Sequence, residues 1–469
     1  MHLPPDLSAV HFVGIGGIGM SAAAKILHAA GVRVSGSDLA ENEQVRALRD
    51  SGIAVAIGED AANIPTDTQL LVHTSAAPES NRERVAAMGR GIPEMTNFAF
   101  LGEWFRHKKV VLVCGTHGKS TTTAMLGLML IEAGLDPTVL VGSRVPAFPD
   151  GNLRLGASDL VVIEGDEYAR HFLEFHPYAV ALLNVELDHT DIFPTLDVVM
   201  DAFRELLLRI GKKGILAANV GDLNVRALLG QESVALLGRD LSVVHVNGEA
   251  PASWAVRYDA EAGATTLSRE GSEVRLPLHV PGRINALNAA MAASLALSLG
   301  ADADACARAL DGFGGIWRRF EKIGERDGIL FVSDYAHHPT AVRETLKAAH
   351  EAYPDKRVVA CFQPHHRKRT RDLFFEFEAA FDRADVLVLA EIYEPSGRTV
   401  VETDPISSED FLEVLARRDA EAVRERLVAY APDAKAAVAR TMAEARPGDI
   451  VLFMAAGDLD AAVRDVLGA

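Results

Sequence analysis

Val110-Val111-Leu112-Val113-Cys114-Gly115-Thr116-His117-Gly118-Lys119-Ser120-Thr121-Thr122-Thr123 is the stretch that decides the fold. An apolar run of strand length stops at a glycine turn, a lysine and a hydroxyl residue follow, and a helix begins. Such a strand–turn–helix aims backbone N–H groups and a helix N-terminus at an anion. Lys119 reaches toward outer phosphates and Ser120 toward a Mg²⁺ ion. The stretch therefore predicts a nucleoside triphosphate site made of Gly115, Thr116, His117, Gly118, Lys119, Ser120 and Thr121. Only Thr116 and His117 separate its glycines, where the general P-loop pattern has four residues.

Outward from this loop, strands alternate with helical stretches, which predicts an α/β protein with parallel sheets. Upstream, Ala9-Val10-His11-Phe12-Val13 runs into Gly14-Ile15-Gly16-Gly17-Ile18-Gly19, an alanine-rich helix from about Met20 to Ala30, and a second strand ending at Asp38. This is a dinucleotide-type layout, with an acidic residue about twenty positions past the glycines to accept a ribose hydroxyl. A nicotinamide-dependent dehydrogenase is one reading of that turn, but a nucleotide-linked substrate explains both glycine loops together. Downstream, buried strands are expected at Leu160–Glu164 and Ala179–Asn184, and a small antiparallel appendage between about 234 and 280. A third segment carries strands at Ile329–Val332, Val358–Phe362, Val386–Leu389 and Ile450–Met454. Three domains follow: 1–106, 107–316 and 317–469.

Composition narrows the function classes. A chain of 469 residues exceeds one ordinary core. The net charge of −18 argues against nonspecific nucleic-acid binding, so an anionic substrate needs locally placed cations. Cys114, Cys306 and Cys361 are too scattered for a metal cluster or disulfide framework. No secretion signal and no apolar run of membrane-spanning length is read, so a cytoplasmic protein without membrane partners is expected.

Chemistry concentrates at strand ends. Asp166-Glu167 and Glu186-x-Asp188-His189 follow two strands beside the phosphate loop, where a carboxylate and an imidazole converge on a metal shell. Asp334-Tyr335-Ala336-His337-His338-Pro339 ends a strand of the third segment and suggests recognition or proton handling. Arg318-Arg319 and Gln363-Pro364-His365-His366-Arg367-Lys368-Arg369-Thr370-Arg371 supply cations that fit an anion site in so acidic a chain.

In this order, the segments resemble the Mur ligase family over essentially the whole chain. The resemblance rests on Gly14–Ser21, Ser75-Ala76, Gly115–Thr123, Asp166-Glu167, Asn184-x-Glu186-x-Asp188-His189, Gly282–Asn288 and Asp334–Pro339. It implies an N-terminal Rossmann-like domain, a central P-loop ATPase and a C-terminal Rossmann-like domain that closes over ATP. It also implies a reaction in which ATP phosphorylates the lactyl carboxylate of UDP-N-acetylmuramate and the amine of L-alanine displaces phosphate from the acyl phosphate.

By position, Lys119, Glu167, His189, His337 and Arg369 match catalytic residues, and Ser120, Glu167 and His189 match Mg²⁺ ligands. Asn285, Arg319 and Asp334 match ATP contacts. Gly16, Gly17, Ile18, Gly19, Asp38, Ser75 and Ala76 fall in the region that binds the uridine diphosphate portion. The protein is expected to be a monomer or homodimer. Phe362–His365 with Arg369–Leu373 is similar to the L-alanine-adding branch, whereas Asp166–Tyr168 and Asp188–Phe193 look more like the branch that attaches recycled murein tripeptide. Ser120, Ile284 and His366 depart from residues common in the family: threonine, histidine and arginine respectively.

Overall fold

A computed structural model describes residues 2–4, 6–394 and 406–468, and among these the strands form four sheets. In the first, Ala9–Val13 lies between Arg33–Asp38 and Leu70–His73, with Ala54–Ile57 and Glu94–Thr96 outside them, all parallel. Ala9–Val13 is buried throughout, which is why it reads as an unbroken apolar run. Strand order reverses beside it, so the glycine turn at its C-terminal end sits at a switch point, where α/β sheets bind ligands.

The central sheet runs 242–246, 215–219, 179–182, 109–114, 160–165, 138–140, 153–154, parallel except for its last short strand. Its switch point is the strand Lys109–Cys114. Cys114 lies opposite both Gly165 and Leu182, so the phosphate loop and the two acidic loops leave the sheet at one level. The helix Lys119–Glu132 and the alanine-rich helix Arg283–Ser298 share one core with this sheet.

The expected appendage is smaller than its sequence range. Ser242–Val246 joins the central sheet in parallel with Ile215–Asn219, and only Ala255–Asp259, Ala264–Arg269 and Ser272–Pro277 form the antiparallel sheet. An edge strand is solvated on one side, so its alternating burial mimics an antiparallel strand. The C-terminal sheet runs 321–326, 329–334, 450–455, 358–363, 386–390, 427–431, with only the first pair antiparallel. Asp334 and Gln363 end their strands at the same edge, so the histidine-rich segments after them emerge side by side.

Candidate active site

Gly118 has φ +84°, and a Cβ there would lie 2.3 Å from the Asn288 Oδ1, so both backbone and space require glycine. Asn184 braces the turn, accepting from the His117 N–H (2.8 Å) and donating to its carbonyl (3.0 Å). Lys119 donates to the carbonyls of Gly115 (2.7 Å) and Thr116 (3.2 Å) and to Glu167 Oε1 (3.0 Å). Its ammonium therefore rests against its own loop, and an arriving phosphate competes with two neutral carbonyls.

Carboxylates crowd around this one ammonium. The Ser120 hydroxyl donates to Glu164 Oε1 (2.9 Å), and Glu164 Oε2 accepts from the Gly142 N–H (2.7 Å). Glu167 is buried, and burial pushes its carboxyl up to about 7 against the pull of Lys119, with Asp166 adding to the rise. Burial acts on Asp166 in the same direction, but its hydrogen bond to His171 Nδ1 (2.9 Å) and nearby cations bring it below the usual range. Burial also opposes the charge on Lys119, yet Glu167 and Glu164 outweigh that and raise it.

Two carboxylates, a hydroxyl and an imidazole beside one lysine fit a hard divalent cation. His189 Nε2 lies 3.7 Å from Glu167 Oε1, and Ser120 and His189 line the same cavity.

His189 takes a left-handed φ of 51° and is held from the C-terminal domain. Arg369 donates to its Nδ1 (3.0 Å) and pairs with Asp188 Oδ1 (2.8 Å). Burial would raise Asp188, but Arg369 and the surrounding histidines hold it well below the carboxylate range. Burial lowers His189, with Arg369 adding to the effect against Asp188, so the ring is neutral. Because a guanidinium only donates, the proton of that neutral ring sits on Nε2, facing Glu167.

A cavity of about 550 Å³ joins the phosphate loop to Asn285, Arg319, His337 and Arg369. Ile284 lines it too, at the position where a histidine is common in the family. Arg319 and Arg318 divide the roles expected of the pair. Arg318 is buried and donates to the Ala455 carbonyl, whereas Arg319 is partly exposed and lies 5.0 Å from the Tyr335 ring centre. Asp334 lines the same cavity but accepts from the N–H groups of Phe320 (2.7 Å) and Ala336 (2.7 Å), so it also shapes the wall. Asn285 donates to the Pro281 carbonyl (2.7 Å). His337 Nδ1 donates to the Tyr335 carbonyl (2.8 Å), and burial, with Arg369 nearby, keeps the ring neutral.

The N-terminal turn is held from within its own domain. Gly14 and Ile15 donate to the Ser37 carbonyl (2.9 Å each), and Gly16 donates to Asp38 Oδ2 (2.8 Å). A Cβ on Gly16 would lie 2.8 Å from that same oxygen. Asp38, read from sequence as a ribose acceptor, thus has one oxygen committed to the turn. Gly16, Gly17, Asp38 and Ala76 line a cavity of about 380 Å³. Ile18 lines the 550 Å³ cavity instead, Gly19 packs near Asn97, and Ser75 shares a 3.3 Å contact with His171 Nε2. Sequence reasoning missed Glu164 and His171. A glutamate inside a buried apolar strand was the available signal for Glu164. Nothing local marks His171.

Three family profiles match the chain: "Mur ligase family, catalytic domain" at residues 9–109, "Mur ligase middle domain" at 113–296 and "Mur ligase, glutamate ligase domain" at 318–457. The UDP-N-acetylmuramate–L-alanine ligase of Paenarthrobacter aurescens is 39% identical over 97% of this chain and 96% of its own. That of Desulfitobacterium hafniense is 36% identical over 96% and 97%. The crystal structure of UDP-N-acetylmuramate-alanine ligase from Thermotoga maritima superposes with a TM-score of 0.78 at 26% identity, over 98% of both chains.

Proposed function

The chain belongs to the Mur ligase family, and from that premise we propose that it joins L-alanine to the lactyl carboxylate of UDP-N-acetylmuramate in a reaction driven by ATP. The reading is carried by Lys119, His189 and Arg369, which line one cavity, with the buried Glu167 paired to Lys119. The chain that holds them aligns almost end to end with L-alanine ligases.

Bringing a carboxylate to a triphosphate sets anion against anion. Lys119 and the phosphate-loop N–H groups stabilise the charge on the outer phosphates. Ser120, Glu167 and His189 would hold Mg²⁺, His189 through Nε2 as the Nδ1-protonated tautomer with Arg369 turned from the ring, and the bound ion would offset the remaining repulsion. Asn285, Arg319 and Asp334 hold the nucleotide, with Asp334 also fixing the backbone at Phe320 and Ala336. Arg369 faces the phosphorylated carboxyl. His337, neutral and with Nδ1–H committed to a carbonyl, presents Nε2 as an acceptor for the incoming ammonium. Gly16 to Gly19, Asp38, Ser75 and Ala76 receive the uridine diphosphate portion. An acyl phosphate hydrolyses readily, so docking of the C-terminal domain through Arg369 serves to exclude water. The enzyme acts in the cytoplasm on a peptidoglycan precursor, as a monomer or homodimer.

One observation favours a second amine. The Tyr168 ring lies edge-on to His189, 5.1 Å between centres, within the Asp166–Tyr168 segment that is similar to the tripeptide-recycling branch. A dehydrogenase reading of the first glycine turn has no second feature beside it. Purified protein is expected to release ADP and phosphate only with both UDP-N-acetylmuramate and an amino acid present. Full turnover without the sugar nucleotide would overturn the proposal.

A further inference from the structure

Glu186 lies three residues before His189, and its side chain meets His117, Thr340 and His338 at a junction that the reaction above leaves unused. Its Oε2 is bonded from two domains at once: His117 Nε2 of the phosphate loop lies 3.2 Å away, and the Thr340 hydroxyl of the C-terminal domain donates at 2.7 Å. Its own N–H donates to the Thr116 hydroxyl oxygen (2.8 Å), so the residue is pinned to the same loop through its backbone. Next to it, His338 donates through Nε2 to the Leu187 carbonyl (3.1 Å), and its Nδ1 caps the helix Pro339–Ala352 by accepting from Thr340 N–H (3.3 Å). The His117 and His338 rings lie 4.7 Å apart. A single carboxylate oxygen therefore joins the loop that holds phosphates to the first turn of a helix in the domain that must close over them.

We propose that Glu186 is a positioning residue: a latch that makes docking of the C-terminal domain depend on the conformation of the phosphate loop, and nucleotide affinity depend on that docking. The inference rests on the ATP-ligase reading. Arg319 and Asp334 stand on the C-terminal side of the latch, so a loosened Thr340 is felt at the nucleotide even though Thr340 does not form the phosphate loop. The carboxylate is charged in this setting. Burial pushes it up, but His117, Thr340 and His338 outweigh that and hold it down at about 2. His117, Glu186 and His338 also bring one potential metal-ligand atom each within 4.8 Å of one another. Both His338 nitrogens are already bonded, however, and Glu186 Oε2 already has two partners, so the hydrogen-bonded latch accounts for the cluster.

The test uses the full chain and binding of a non-hydrolysable ATP analogue with Mg²⁺, read by calorimetry, alongside kcat and KM for each substrate. Thr340→Val is expected to weaken analogue binding about fivefold and lower kcat, without moving the KM for UDP-N-acetylmuramate or the melting temperature. Glu186→Ala is expected to weaken binding at least tenfold, while Glu186→Gln, which keeps an acceptor oxygen, recovers most of it. Combining Thr340→Val with Glu186→Ala should add nothing further, because both remove the same bond.

Wild-type affinity in Thr340→Val, or losses that multiply in the double variant, would overturn the latch. So would tight binding of Zn²⁺ that His338→Asn abolishes, since that would make the cluster a metal centre. Analogue binding does not depend on the amine or the sugar acid. A wild-type protein that binds the analogue yet fails to ligate would refute the function while leaving the latch readable.

Discussion

The N-terminal domain and the catalytic centre both bury charge, but they satisfy it differently. In the N-terminal domain, His11 and Glu83 are fully buried and 3.0 Å apart, and Glu83 also accepts from the Ser37 hydroxyl (2.7 Å) and the Asn63 amide (2.7 Å). Each of these partners belongs to the same domain, and Ser37 passes the order on, since its carbonyl holds the glycine turn. At the catalytic centre the corresponding bonds cross a boundary: Arg369 to Asp188 and His189, Thr340 to Glu186, and His338 to the Leu187 carbonyl. A self-contained network gives a preformed binding surface. A network completed by another domain makes the site conditional on closure. Substrate recognition and chemistry are therefore expected to respond to different mutations.

The sharpest way to break that contrast is at the phosphate loop. Lys119→Ala removes the ammonium bonded to Glu167 and should lower kcat by about a thousandfold, the scale of a lost transition-state charge contact. ADP release measured with all substrates present checks this, and a near-normal rate would show that the centre does not use the lysine.

Arg369→Ala tests the boundary itself. It leaves Asp188 buried without its cation and frees His189, so kcat should fall about a hundredfold, with the melting temperature also reduced. The KM for UDP-N-acetylmuramate should move far less, and a change confined to that KM would mean that the contrast is drawn in the wrong place.

Glu83→Gln makes the opposite test. An amide N–H₂ would face donors in a fully buried site, so stability should drop by roughly 2 kcal/mol. The loosened glycine turn should raise the KM for the sugar nucleotide several-fold while kcat at saturation stays within about twofold.

The effect confined to the narrowest conditions is in pH. Burial and His117 depress His338 to about 4, below the value of about 6.5 for an unfolded histidine. Between those values the unfolded chain binds more protons, so the stabilisation that depends on a neutral His338 is fully present above pH 6.5 and is lost as pH falls toward 4. Glu186, held down at about 2, contributes stability that is present above pH 4.5 and is lost as pH falls below that. Glu167 runs the other way: raised to about 7, its contribution is present below pH 4.5 and is lost as pH rises through 7. Comparing chemical denaturation of wild type and His338→Asn isolates the first of these. The variant should lose less stability between pH 6.5 and 4, by at most about 3 kcal/mol. Parallel curves would place that acid sensitivity elsewhere.

Much of this architecture was legible because parallel strands buried on both faces read as apolar runs, and because the loops after them carry the chemistry. Lys109–Cys114, Leu160–Gly165 and Ile450–Ala455 stand out for that reason, and Lys119, His189 and Arg369, placed after strand ends, line one cavity, with Glu167 paired to Lys119. Strands at sheet edges were not legible in the same way. Ser242–Val246 is half solvated and alternates like a strand of the neighbouring antiparallel sheet. The partnerships of polar residues were hidden as well. Nothing in the sequence says that Asp38 gives an oxygen to Gly16, that Asp334 accepts two backbone N–H groups, or that His171 bridges Asp166 and Ser75. Some of these pairings join separate segments, as Ser75 with His171, and others turn on the exact path of one loop, as Asp334 with Ala336 or Asp166 with His171; residue pattern encodes neither.

The most direct test of the function offers UDP-N-acetylmuramate, ATP and Mg²⁺ together with equal concentrations of L-alanine, glycine, L-serine and the murein tripeptide. Products are identified by mass spectrometry and counted against ADP. The account predicts that UDP-N-acetylmuramoyl-L-alanine dominates, with one ADP formed per amide bond. A predominant tripeptide product, or ADP release with no amide product, would contradict it.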